Sequence, residues 1–147
     1  MANLVYNFFK QAVMFGSYKL SNDQSGTTPI FISLVSNTYS PDGDLHKYRS
    51  SLTDIVTPSN YTAFFALSSP LLTQDNTNNQ GVLDASDILM ANVTFGTSVR
   101  GCVLWASTPQ GSASDPLIAY IDFTTDQTVT AGTFQIQWAA GGILALT

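Results

Sequence analysis

Pro116-Leu-Ile-Ala-Tyr-Ile-Asp-Phe-Thr-Thr-Asp-Gln-Thr-Val-Thr-Ala-Gly-Thr-Phe-Gln-Ile-Gln-Trp138 reads as two β-strands joined by a polar connection. In the second, Phe134, Ile136 and Trp138 alternate with Thr133, Gln135 and Gln137. Successive strand side chains point to opposite faces, so this run buries its large apolar groups and shows its polar ones to water. The first strand, Leu117 to Phe123, is apolar on both faces except at Asp122, which suits a strand covered on both sides.

The whole chain has the composition of a β domain. Its 147 residues are expected to form one domain, 1–147, large enough to bury a core without disulfides. Hydrophobic residues make up 44% and charged residues 10%, against ~25% charged in an average domain. Polarity comes from Ser, Thr, Asn and Gln. All 10 acidic residues are Asp; Asp favours turns and caps where Glu favours helices. So sparse a charge set suits a chain packed against neighbours, and equally a Thr- and Ser-rich β protein. The net charge is −5 and the cations are Lys10, Lys19, Lys47, Arg49 and Arg100, with no basic stripe. Phosphate binding needs several cations on one face, so a nucleic-acid partner is not expected. A lone Cys102 in an apolar run is read as a small buried residue; it allows no internal disulfide and no cysteine metal site. No apolar run approaches a membrane span and no basic leader precedes the first apolar residues, so the chain is expected to be soluble and made in the cytoplasm.

Along the chain, Asn3 to Phe15 is the one good helix candidate, capped by Asn3 and ended by Gly16. Leu4, Phe8, Ala12 and Phe15 share one side of it. It would plug one end of the core or pack on a partner. Thr28 to Ser36 reads as a strand, with Ile30, Ile32 and Leu34 on one face and Phe31 and Val35 on the other. Asn37 to His46 is a loop, Lys47 to Val56 a short helix, and Tyr61 to Leu67 a strand. Pro70 to Asn79 reads as an exposed loop or hairpin tip. A strand is expected around Ile88 to Asn92, with Val93 to Phe95 continuing it. The next is Val99 to Ala106, with Val99, Gly101, Val103 and Trp105 on one face and Gly101 marking a bulge. Thr108 to Asp115 is a loop, and Ile143 to Leu146 a last short strand after Gly141-Gly142. Short strands with turns between them, and no βαβ rhythm, predict a mainly β fold. We expect an antiparallel β-sandwich, jelly-roll-like or immunoglobulin-like, with one N-terminal helix.

Reactive constellations are thin. His46 is the only histidine, and no Gly-x-Ser-x-Gly elbow accompanies it, so a solvated loop histidine is the simpler reading than a triad member. Asp42 with Asp44, and Asp84 with Asp87, could bind a hard cation, but neither pair matches an EF-hand loop and Asp is common in turns. Asp122 would need a second acid or base beside it to do chemistry; a paired or edge carboxylate is simpler. Gly141-Gly142 is a turn signal, not a phosphate cradle. Tyr6, Tyr18, Tyr39, Tyr48, Tyr61 and Trp105 could stack on a sugar, though aromatics at strand spacing are usually core. No catalytic, cofactor-binding or metal residue is therefore assigned, and no cofactor is expected.

The stretch from Asp84 to Leu146 resembles a widespread family of small virion structural proteins of tailed bacteriophages. The likeness lies in Asp84-Ala-Ser-Asp-Ile88 closing on Asn92-Val-Thr94, in Val99-Arg-Gly-Cys-Val-Leu-Trp105, in Pro116 to Phe123, in Asp126 to Trp138 and in Ala140-Gly-Gly-Ile-Leu144. Val5-Tyr-Asn-Phe-Phe-Lys10 is similar to that family's opening helix; Asn37 to Gln80 matches poorly. The resemblance implies a non-enzymatic protein of the virion. Among such proteins, small β-sandwiches commonly cement or decorate the capsid, bridging capsomers of the major capsid protein as a homodimer or homotrimer on the capsid surface. A neck, tail or fibre component, and a carbohydrate- or receptor-binding module, are the other functions to weigh.

Overall fold

The computed structural model describes residues 2–16, 29–107 and 115–147. In chain order their elements are β1 (Leu4–Val5), α1 (Asn7–Met14), β2 (Ile30–Ser36), β3 (Phe65–Ala66), β4 (Leu71–Asp75), β5 (Gln80–Asp84), β6 (Ile88–Val93), β7 (Val99–Ala106), β8 (Leu117–Gln127), β9 (Gly132–Ile136) and β10 (Leu144–Leu146). The fold is mainly β, and among the described residues every strand pairing is antiparallel and there is a single α-helix. A five-stranded sheet, ordered β1-β8-β7-β2-β3, forms one layer. A three-stranded sheet (β10-β5-β4) and a two-stranded one (β6-β9) complete the strand set.

β7 sits at the centre and is buried throughout except at Arg100. Its Cys102, Leu104 and Ala106 join Ile30, Ile32 and Leu34 of β2 and Ile118 and Ala119 of β8 in the larger core. That core also takes in Met90, Val93, Phe134 and Ile136 from β6 and β9, Leu83 from β5 and Phe9 from α1, which gives the sandwich-like layering. On the opposite face, Val35, Val103, Trp105, Leu117 and Tyr120 pack with Tyr6, Tyr39 and Leu52. There the cover is loop, with Phe64 against Trp105; within the sheet, Phe31 of β2 stacks on its register partner Trp105 at 4.8 Å. Each fully buried Leu or Ile in these cores contributes roughly 1.5–3 kcal/mol.

Several expectations change against this frame. The helix begins at Asn7, not Asn3, because Leu4 and Val5 pair as strand with Tyr120 and Ala119. Asn3 caps nothing; its Oδ1 accepts the Asp122 N–H at 2.9 Å. The helix end stands as expected, with Gly16 in the left-handed region at φ 67°. Lys47 to Val56 forms only a 3-10 turn, Arg49–Ser51, since its backbone is drawn to β8: Arg49 N donates to Asp115 O, and Leu117 N to Lys47 O. Tyr61 to Leu67 keeps two strand residues, Phe65–Ala66. Pro70 to Asn79 is half strand; the turn is confined to Asn76 through Asn79. The two strands of Pro116 to Trp138 lie in different sheets, β8 with β7 and β9 with β6, and Trp138 falls beyond β9. The Thr108 to Asp115 loop lies, except for Asp115, outside the described residues, as do Thr28, Tyr18 and Lys19.

The bulge expected at Gly101 is there, and it turns Val99 round. Against β2, Val35 pairs with Gly101 and Ser36 with Val99, so Arg100 is an extra residue. Val99 thereby joins the larger core, opposite Val103 and Trp105. A second slip on β8, between Ala119 and Leu117, aims Ile118 and Ala119 into the same core.

Gly101 has no room for a side chain. A Cβ there would collide with the Ile121 carbonyl oxygen and stand 2.8 Å from Tyr120 Cε2. Gly101→Ala is expected to lower stability by about 3 kcal/mol or more, read as a lower urea midpoint at unchanged slope. A midpoint within error of the parent would refute the tight Gly101–Tyr120 packing.

Candidate functional site

The residues weighed for chemistry are drawn into separate structural roles. His46 lies against the smaller core: its Nδ1 is 3.1 Å from the Tyr39 hydroxyl, which is 2.9 Å from the Tyr6 hydroxyl. The Asp42 N–H also reaches Nδ1 at 3.3 Å. Nδ1 is thus an acceptor, with Tyr39 donating to it and Tyr6 donating to Tyr39. Burial raises the pKa of both tyrosines, and it pushes Tyr120 up to about 12; the Tyr120 hydroxyl has no hydrogen-bond partner among the described residues. Burial likewise pushes the Cys102 thiol up to about 12, away from nucleophilic use.

The aspartates hold turns and arginines. Asp42 Oδ1 accepts from Leu45 N and Asp44 N, both at 2.9 Å, and these bonds lower its pKa. Asp84 accepts from Ala85 N, and Asp87 from Trp138 N, tying the strand ends together. Asp122 takes Arg100 Nε at 2.6 Å and Thr124 N at 3.1 Å, and its side chain is 3% exposed. Arg100 holds the Asp122 carboxyl well below the usual carboxylate range, against the opposing effect of desolvation. The network extends from Arg100 to Asp126, which accepts from Asn37 Nδ2 at 2.6 Å. Arg49 pairs with Asp115 at 3.4 Å, and its guanidinium lies 4.8 Å from the Trp105 ring centre. Among the described residues, no group of three or more His, Cys, Asp or Glu could hold a metal, and no helix is long and apolar enough to cross a membrane. Of the aromatics weighed for sugar stacking, Tyr6, Tyr39 and Trp105 are core, and Tyr61 is half-buried with its hydroxyl bonded to Ala91.

A different feature stands out at the surface. β4 pairs with β5 on one side only, so among the described residues its other edge has no strand neighbour. Alternate N–H and C=O groups on such an edge are unpaired, and natural edges are commonly blunted by Lys, Pro or a bulge. β4 is Leu-Leu-Thr-Gln-Asp, and its register against β5 is unbroken. Leu71 is 48% exposed and Leu72 43%. Leu146 of β10, 39% exposed, lies on the same sheet. The tip is stiff: Asp75 Oδ1 accepts from Thr77 N and Asn78 N, its Oδ2 accepts from Asn78 Nδ2 at 2.7 Å, and these bonds lower its pKa. Asn79 turns the chain at φ 54°, a conformation Asn tolerates. A rigid, apolar, unpaired edge is a surface suited to another chain.

No family model, curated protein or solved structure matches the chain.

The Asp122–Arg100 pair sets an acid-range dependence. In the unfolded chain the carboxyl titrates near ~3.9; folded, it stays ionised to much lower pH. Its stabilising contribution is whole above that unfolded value and shrinks as pH falls below it. Asp122→Asn is expected to lower Tm by a few degrees at about pH 7, with the gap to the parent narrowing steadily below about pH 4. A gap that widens in acid would contradict the pairing.

Proposed function

We propose that this chain is a non-enzymatic structural protein of a tailed-phage virion: a capsid cement or decoration protein that assembles with itself as a dimer or trimer and bridges capsomers of the major capsid protein. The observation that carries the reading is the exposed β4 edge, with Leu71 and Leu72 on a stiff hairpin. The resemblance of Asp84 to Leu146 to small virion proteins supports it, as does the 10% charge content. Bridging adds buried area where the shell is weakly held, and it stabilises only the state in which both contact surfaces exist, the mature shell. Contacts made by short, stiff side chains and sheet edges lose little conformational entropy on docking, which favours tight seating from a modest area.

A neck, tail or fibre position is the alternative within the same class. It differs in copy number, which for a cement follows the capsid lattice and for a neck part is a few per particle.

Heads assembled with the parent chain are expected to carry it across the lattice and to retain their genome at higher temperature than heads without it. Leu71→Lys, at a solvent-facing position, should leave the fold intact and abolish decoration. Heads that keep their genome equally well without the protein, or that bind the Leu71→Lys chain as well as the parent, would overturn the proposal.

A further inference from the structure

A cleft of about 450 Å³ lies between the distal half of β8, β9 and the turn leading into β10. Its volume is within the ~300–1,000 Å³ range of small-molecule sites. β9 pairs with β6 alone among the described residues, so its second edge has no strand neighbour. Buried Phe134 and Ile136 contribute to the lining from β9, and half-buried Phe123 and Trp138 add aromatic surface. Trp138 is held by two bonds, its indole N–H to Ser86 O at 3.1 Å and its backbone N–H to Asp87 Oδ1 at 3.0 Å.

The polar side chains that border it are amides: Asn3 and Gln127, and also Gln135 and Gln137, which alternate with Phe134 and Ile136 and so border the cleft from the other face of that run. Asn3 spends its Oδ1 on Asp122 N, and Gln127 spends its Nε2 on Thr125, which leaves Asn3 a donor and Gln127 an acceptor. Gln135 and Gln137 are exposed and keep both functions, with no side-chain bond among the described residues. None of the described lining side chains is charged. An anionic ligand would find no counter-charge, and a wholly apolar one would strand the amides. A ligand carrying adjacent hydroxyls, each both donor and acceptor, and a C–H face that packs on an aromatic ring, satisfies both halves of the lining.

We propose that this cleft binds a neutral mono- or disaccharide unit, stacked on Trp138 and Phe123 and hydrogen-bonded by the amides of Gln127, Gln135 and Gln137. The site is remote in sequence from the β4 edge and does not depend on the capsid role. The competing occupant is an extended peptide adding to the open edge of β9. A peptide adding there would pair through its main chain, and a peptide backbone has no special use for side-chain amides.

The test is an NMR titration of the full chain with neutral mono- and disaccharides of glucose, galactose, mannose and N-acetylglucosamine, followed through backbone amides and the Trp138 indole. Saturable shifts confined to the residues bordering the cleft, Ile121 to Gln127 and Phe134 to Ile143, are expected for at least one sugar. Gln135→Ala and Gln137→Ala, both at exposed positions, should each weaken that binding by about 3- to 10-fold, and Trp138→Ala by about tenfold or more. No saturable shift with any of these sugars up to their solubility would overturn the proposal. So would shifts there produced only by an extended-peptide panel, which would assign the cleft to strand addition.

Discussion

Burial of β7 on both faces is the constraint on which the rest depends. A strand with water on one face needs one core; this one needs two, and the chain supplies them differently. The larger is strand against strand, with β6 and β9 covering Cys102, Leu104 and Ala106. The smaller is loop against strand, with Tyr6, Tyr39 and Leu52 over Val103 and Trp105. A loop over an apolar face must bring its own polar satisfaction. It does so through the Tyr6–Tyr39–His46 chain and through Arg49 set between Asp115 and the Trp105 ring, while within the sheet Trp105 Nε1 donates to Ser33 Oγ at 3.1 Å. The tightness of this arrangement shows at Gly101, where even a methyl group would meet Tyr120.

The few charges follow from the same demand. Arg49 and Arg100 are committed to Asp115, Asp122 and Asp126, and Asp42, Asp75 and Asp84 to their own turns. Charge is thus spent on closing loops and strand ends over the cores. Lys10, Asp44, Lys47 and Asp54 remain exposed, but the outward side chains of β4 and β9 are largely uncharged, leucines on the one and amides along the other. Those two regions lie on the peripheral sheets, outside the five-stranded layer. A doubly covered centre with uncharged side chains along its margins is consistent with a protein whose work is contact.

How far this was legible in the sequence varied with burial. The bounds of β7 and the two faces of β2 match the expectation, because a strand between two cores shows an apolar run or clean alternation. The bulge was visible as a glycine among bulky neighbours, but its effect on Val99 was not, since that depends on which partner strand absorbs the extra residue. β4 was hidden for the opposite reason. Its residues are exposed on both faces, so no period-two pattern marks them, and Asn76 to Asn79 lend the stretch a loop's composition. The first helical turn is ambiguous in the sequence because Leu4 and Val5 suit either a helix face or an edge strand, and only the open edge of β8 decides. Trp138 and Gln137 read as the end of an alternating strand; that they border a cleft depends on β9 and β8 belonging to different sheets, a long-range fact absent from local spacing.

Native-state hydrogen exchange across the chain tests most directly the claim that a doubly covered β7 anchors the fold while the margins stay available. The amides of Cys102 to Trp105 should exchange only through global unfolding, with free energies that track the denaturant-measured stability. The outer-edge amides of Leu71 to Asp75 should exchange through local opening at much lower cost. Equal protection of the two strands, or faster exchange in β7 than in β4, would contradict the account.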